Sequence, residues 1–399
     1  MLFATLGLMA LGLIIIYAIG PMRANVLNNT YGTDYDSNYF FLGQLRSVVL
    51  SLIAFFAAFK WIPYKYIKKF AKPLLIIALI LSGLLWILSM MHSSLVKCEL
   101  GECRWYNFGP ISFQPAELLK LALVIYFADY IARKKEEGVV GKWMEFWVPL
   151  LIVFGIALFL VVIAQGDLGT GVAIISIMFG MLLASGVPAK QYIFMVVFVV
   201  LIAIGSVATS SHRMERVDAW LTTLTGGESS DSTYHVENAM LAIGTGGVMG
   251  VGIGNSVQAT GYLPESINDS VFAIMGETFG FVGLFIILCI FATILLRMLK
   301  VAGGTSGTEE RLLIVGVFSW TFAQIVVNIM AMTGLVPVTG ITLPLLSYGG
   351  TSMMFIAFAI GLVLQLSCYT SREVKSENEN ISSGGRLGGT RYSSRRRSS

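Results

Sequence analysis

Long apolar runs alternate with short polar connections along this chain. Ten runs can be drawn, at about 2–20, 46–60, 73–91, 114–132, 145–164, 168–186, 190–209, 270–297, 312–333 and 351–369. Runs of this length cross a hydrocarbon core as helices. The pattern predicts an all-α polytopic membrane protein with about ten transmembrane helices. The first run, MLFATLGLMALGLIIIYAIG, has no basic leader and no small-residue cleavage site. It therefore reads as the first span and not as a cleaved signal peptide.

Composition agrees, with 56% hydrophobic and 13% charged residues and a mean hydropathy of +0.77. The net charge of +4 says little, but its distribution says more. With the N-terminus inside, 20 of the 27 Lys and Arg residues fall on the inner side, six fall outside, and Lys120 lies within a span. Positive charge collects on the cytoplasmic side of membrane proteins, so both termini are expected to be cytoplasmic. Residues 1–370 read as one membrane domain. Residues 371–399, rich in Ser, Gly and Arg, read as a disordered basic cytoplasmic tail. Cys98 and Cys103 flank an outer ELGE loop, which suits either a small disulfide loop or two free thiols.

One outer connection is exceptional. Residues 210–269, between spans seven and eight, form a long segment with a short amphipathic helix that breaks into glycines at 244, 246, 247, 250, 252 and 254. Such glycine density lets backbone approach backbone or ligand closely. A nucleotide-binding reading fails, because no strand precedes the glycines. The loop ends in YLPESINDSVFAIMGETFGFVG at 262–283, where Glu265 and Asp269 precede an apolar run that itself holds Glu277. A carboxylate inside a membrane span is costly and marks a candidate site.

Orientation turns positions into depths. Glu117 and Lys120 lie three apart in the outer turns of span four, where they can form a helix-locking pair or line a site. Asp167 sits in the outer turn QGDLGTG, as a cap of span six or as a ligand group. Gln324 and Asn328 fall on one face of span nine, and hydrogen bonds between helices are the plainer reading for both. Arg213 and Arg216 suit interfacial anchoring or the grip of a phosphate. His212 and His235 show no zinc pattern. These polar groups gather in the outer half, which predicts a cavity open to the outer leaflet. Asp129 is the exception, near the inner end.

Several ordered motifs then resemble the SEDS proteins (shape, elongation, division, sporulation), the FtsW/RodA/SpoVE group. They are YFFLGQL at 39–45, RWYNFGPISFQPAELLKLAL at 104–123, QGDLGTG at 165–171, HRMERV at 212–217, AIGTGGVMGVGIGNSVQ at 242–258, the 262–283 stretch, and NIMAMTGLVPVTGITLPLLSYGGTS at 328–352. The TLPLLSYGG form looks closer to the FtsW/SpoVE branch. The chain departs from the family pattern at Gly166, where proline is usual. It departs again at Ile267-Asn268, where His-Thr is usual, and at His235, where glutamine is usual.

The resemblance implies a peptidoglycan glycosyltransferase of the bacterial cytoplasmic membrane. Such an enzyme polymerises lipid II at the outer face, with a septal role in cell division. It works with a class B penicillin-binding transpeptidase and other division-complex membrane proteins, and no nucleic acid is expected. The family's essential aspartate falls on Asp269, which is expected to act as general base. Arg213, Arg216 and Lys120 are the candidates for pyrophosphate charge, with Glu117 orienting Lys120. Asp167, Glu277 and Ser347 are further candidate substrate contacts. No cofactor is certain; a divalent cation, Mg²⁺ or Mn²⁺, could share the charge. The rivals are a lipid II flippase, which needs polar groups through the full depth, a solute transporter, and a non-catalytic scaffold for a transpeptidase.

Overall fold

The computed structural model describes residues 1–99, 102–109, 112–208, 211–225 and 233–384. All ten expected spans are helices. They are α1 (Leu2–Tyr31), α2 (Tyr39–Trp61), α4 (Ala71–Met90), α5 (Pro115–Glu136), α6 (Trp143–Ala164), α7 (Leu168–Ser185), α8 (Ala189–Ala208), α11 (Val271–Gly304), α12 (Thr308–Met332) and α13 (Gly350–Gly384). A short helix, α3 (Tyr64–Lys69), follows α2. Among the described residues eight helices are long and apolar enough to cross a membrane unaided. The apolar stretch of α8, Ala189–Gly205, is shorter.

The remaining span, α5, carries Glu117, Lys120 and Asp129 and is the hub of the bundle. Sixteen of its 22 residues are buried, and it touches α4, α7, α12 and α13. A helix buried on all sides sits in the interior. Pro115 opens it at the first turn, and Arg133, Lys134 and Lys135 close it, as the helix dipole favours.

At one end of the bundle, Tyr64 donates to Glu309 Oε1 (2.6 Å) and Lys68 pairs with the same carboxylate, which fastens α3 to α12. Met1 lines a cleft with Arg297, Lys300 and Leu364 at this end. The other end carries a three-stranded antiparallel sheet: β1 (Val96–Glu99), β2 (Glu102–Asn107) and β3 (Ser112–Phe113). Of the two readings of its cysteines, the disulfide holds: Cys98 and Cys103 face each other across β1 and β2 and are bonded.

The 210–269 segment contains two helices, α9 (Ser211–Thr225) and α10 (Tyr234–Thr245). The amphipathic helix that breaks into glycines is α10; α9 went unforeseen. The glycines serve backbone packing. Helix α11 is broken at Gly280, whose φ of 66° and ψ of −167° are not helical. Around the break, Val251 and Gly252 donate N–H bonds to the carbonyls of Glu277 and Thr278. In return, Phe281 and Val282 donate to Gly247 and Val248. Irregular backbone at membrane depth survives only where protein satisfies its polar groups, and this seam does so.

A Cβ on Gly246 would lie 2.0 Å from the Gly276 carbonyl, whereas one on Gly244 would meet nothing within 4 Å. Gly246→Ala should therefore cost about 3 kcal/mol, within the range of overpacking penalties. Gly244→Ala, inside α10, should be neutral or slightly stabilising. Thermal unfolding of the two variants in detergent checks the contrast, and equal melting temperatures would refute the seam.

Candidate active site

The loop from Tyr262 to Ser270 is held from several sides at the sheet-bearing end of the bundle. Asn328 on α12 donates its Nδ2 to the carbonyl of Asp269 and to that of Ile341, at 2.7 Å each. Tyr348 N donates to the Ile267 carbonyl (2.8 Å). Arg23, near the end of α1, pairs with Glu265 Oε1 (3.1 Å), and the Asn268 side chain donates to Glu265 Oε2. Glu265 has a φ of 48°, a left-handed conformation that a residue with a side chain adopts at a cost. The ion pair and the amide contact together hold it there.

Asp269 is thereby buried, at 6% exposure. It is enclosed by protein and does not face an open cavity as its place in the sequence suggested. Burial pushes its carboxyl up to about 7, and the negative charge of Glu265 adds to the rise. Backbone N–H groups and Arg216 pull the other way.

His235 on α10 meets Ser270 Oγ at 2.7 Å, and Ser270 Oγ donates to the Pro264 carbonyl (2.8 Å). The serine has one proton, given to Pro264, so His235 donates through Nε2–H. Burial, then Arg216, holds the imidazole down at about 4, so it is neutral at pH 7. Asp269, Glu265, Arg23, Arg216, His235 and Asn328 thus form one cluster drawn from α1, α9, α10, α12 and the loop.

The other expected residues lie in separate groups. Lys120 is fully buried, bonds Glu117 Oε1 at 2.8 Å and stands 4.9 Å from the centre of the Trp320 ring. It is committed to holding α5 against α12, and a ligand would reach it only after those contacts open. Asp167 caps α7, accepting from Thr170 N (2.9 Å), Thr170 Oγ1 (2.8 Å) and Gln114 Nε2 (3.1 Å). Arg104 on β2 lies over this turn, donating to the Gly166 carbonyl (3.0 Å) and pairing with Glu102.

Glu277 takes hydrogen bonds from Ser256 Oγ and from the backbone N–H groups of Val257 and Gln258, so it caps the turn Gln258–Thr260 below the loop. Ser347 Oγ accepts from Leu343 N (2.8 Å), and the Ser347 carbonyl accepts from Gln44, so it staples its own turn. Arg213 lies on α9, and its side chain is outside the described residues, as is that of His212; of the expected disordered tail 371–399, residues 371–384 continue α13 as helix and the rest lie outside the described residues.

Sequence reasoning passed over Arg23, Arg104 and His235 as site residues. A signal existed for Arg104, two residues from Glu102 in an outer turn, but not for Arg23, which has no acid within ten residues. Nothing in the sequence pairs His235 with Ser270, 35 residues away. Among the described residues no three His, Cys, Asp or Glu side chains gather as a metal ion would require. Both oxygens of Glu265, the carboxylate beside Asp269, are already engaged.

Fold and site define a helical membrane protein whose perturbed carboxylate sits at one end of its bundle. Relatives agree on the class. The family described as "Cell cycle protein" (FtsW/RodA/SpoVE) matches residues 1–372. The chain is 32% identical over 369 residues to "Stage V sporulation protein E" of Bacillus subtilis, covering 92% of this chain and 95% of that protein. It is 36% identical over 269 residues to "Probable peptidoglycan glycosyltransferase FtsW" of Tolumonas auensis, covering 67% and 69%. The solved structure described as "Structural coordination of polymerization and crosslinking by a peptidoglycan synthase complex" matches with a TM-score of 0.70 at 23% identity, over 92% of this chain and 97% of that one. The chain belongs to the FtsW/RodA/SpoVE family and is a multi-pass protein of the cytoplasmic membrane.

If Asp167 acts as a cap, Asp167→Ala removes the acceptor of Thr170 N, Thr170 Oγ1 and Gln114 Nε2. It should cost about 2–3 kcal/mol by the usual worth of a cap with a charged acceptor. Asp167→Asn should recover about half. Detergent unfolding checks this; an alanine variant as stable as the wild type would return Asp167 to the substrate-contact reading.

Proposed function

We propose that this protein is a peptidoglycan glycosyltransferase that polymerises lipid II into β-1,4 glycan strands at the outer face of the cytoplasmic membrane, for septal wall synthesis in cell division. The reading rests on family membership and on one observation: Asp269 is a buried carboxylate held near 7 at one end of the bundle, with Arg216 beside it. The excess of Lys and Arg on the opposite side supports an outside position for the Asp269 end. No nucleotide-activated sugar is available there, so the donor arrives already activated as a lipid pyrophosphate.

The chemistry is one inverting displacement. Asp269 takes the proton from the 4-hydroxyl of the acceptor GlcNAc as that oxygen attacks the anomeric carbon of the donor MurNAc. The new C–O bond forms opposite the breaking C–O bond to pyrophosphate. The polyprenyl pyrophosphate leaves with the electron pair, and an α-linked donor becomes a β-1,4 linkage. A pyrophosphate needs charge neutralisation and no added proton, so one carboxylate suffices. Arg216 supplies that charge from α9, with Arg213 on the same helix. Lys120 joins only if the Glu117 pair opens.

A carboxylate near 7 is a stronger base than an ordinary one and is still about half ionised at neutral pH. The crosslinking partner is a class B penicillin-binding transpeptidase, within a set of division-complex membrane proteins.

With purified protein, lipid II and the transpeptidase, Asp269→Asn should insert normally and make no glycan. Polymerisation at the wild-type rate would remove Asp269 from the role of base. The pH dependence has a definite sign. The base must be ionised, so kcat/KM should climb with pH, about tenfold per unit, and level off above about 7. Glu265→Gln removes a negative charge that raises the Asp269 pKa and leaves Arg23 unneutralised. The rising limb should therefore move to lower pH. A limb that stays in place would show that Glu265 does not set the basicity of Asp269.

A further inference from the structure

The connection between α1 and α2, residues 31–39, takes no part in the chemistry above, yet it is built in detail. Asn28 holds it rigid: its Oδ1 accepts from Tyr35 N (2.8 Å) and Thr33 Oγ1 (2.9 Å), and its Nδ2 donates to the Tyr35 carbonyl (3.0 Å). Asp36 accepts from Asn38 N (3.2 Å). On this frame stand three tyrosines. Tyr31 is 73% exposed and Tyr39 is 43% exposed, with the Tyr35 ring 4.5 Å from that of Tyr39. Asp34, Asp36 and Asn38 lie exposed among them. No Lys or Arg occurs between Arg23 and Arg46.

Interfacial anchoring is the common use of tyrosine at the end of a span. Here the rings share their surface with two carboxylates. Anionic headgroups would repel those carboxylates, and burying them in a bilayer is costly. Exposed rings interleaved with acceptors suit a ligand with apolar C–H faces and hydroxyl donors but no negative charge on its ring, which describes a pyranose. The loop is ordered by its own hydrogen bonds, so little ordering is left for binding to impose. It is also joined to the catalytic loop. Phe40 packs on Tyr35, Tyr39 and Tyr348, with ring centres 5.2 to 6.0 Å apart, and Tyr348 N is bonded to Ile267, two residues before Asp269.

We infer that the Tyr31–Tyr39 loop is a carbohydrate-binding platform that holds the β-1,4-linked sugar backbone of the growing strand next to the site of polymerisation. This rests on the glycosyltransferase reading for its biological ligand, but the loop's affinity for a sugar can be measured without turnover. A soluble β-1,4 hexamer of N-acetylglucosamine, titrated against the detergent-solubilised full chain, is the probe. Tyr31→Ala and Tyr39→Ala should each weaken its binding by about fivefold, the worth of one stacked ring. Tyr31→Phe and Tyr39→Phe should retain most of it, and Asp34→Asn should weaken it as well. In the lipid II assay the alanine variants should make shorter chains, with length falling more than the initial rate.

Unchanged hexamer binding in the alanine variants would overturn the platform. So would variants whose only defect is poorer insertion into vesicles, since that marks an interfacial anchor. The two readings fail separately. Asp269→Asn that still polymerises, beside a loop that binds sugar, would sink the base assignment alone. Normal polymerisation beside a loop that binds no sugar would sink the platform alone.

Discussion

The seam between the glycine segment 246–252 and the break in α11 is the constraint on which the functional end depends. A helix interrupted inside a membrane leaves N–H and C=O groups that lipid cannot satisfy. Here four backbone hydrogen bonds from the neighbouring segment satisfy them. Glu277, one turn before the break, caps the turn at 258–260. The chain then climbs from a fixed point into the loop that ends at Asp269. Its carboxylate can be buried in a defined place because the backbone beneath it is held from below by the seam and from the side by Asn328.

Electrostatics then divides the acids among tasks. Asp167 and Glu277 each accept several N–H bonds and stabilise turns; Glu117 neutralises a lysine inside the bundle. Asp269 differs in having burial and a neighbouring carboxylate raise its pKa, with only modest opposition. The other acids are hydrogen-bonded into place, and Asp269 is the one whose surroundings favour its protonated form. The rival flippase reading asks for polar groups free to face a headgroup at every depth. Lys120, the deepest basic group on the outer half of α5, is instead sealed against Glu117 and Trp320.

The ten spans were legible because a bilayer demands long apolar runs, whatever the contacts between them. Asp269 stood out through the ordered motif around it, but its burial beside Glu265 did not. Less visible was anything decided by contacts between distant segments. Glycines 246–252 announced close approach, but nothing in their spacing said that the partner was a broken turn of α11. Helix α9 was missed because a polar sequence outside the membrane has no apolar run to mark it. Gln324 and Asn328 share a face by their spacing, yet only Asn328 bonds to a loop, and the sequence does not tell the two apart.

The positions that depart from the expected family pattern are each tied to a neighbour by a specific contact. Gly166 adopts a φ of 71°, which a proline cannot reach. The side chain of Glu102 fills the space beside it, 3.0 Å from where a Cβ would stand, and Arg104 binds its carbonyl. Both partners come from the hairpin that the Cys98–Cys103 bond closes. The turn that caps α7 is thus shaped in this chain by the hairpin over it, where a proline would fix it from within. Asn268 and His235 follow the same logic, since Asn268 bonds Glu265 and His235 bonds Ser270, on either side of Asp269. Asn268 and His235 thus fix the residues that flank Asp269, and its carboxylate stays buried between them.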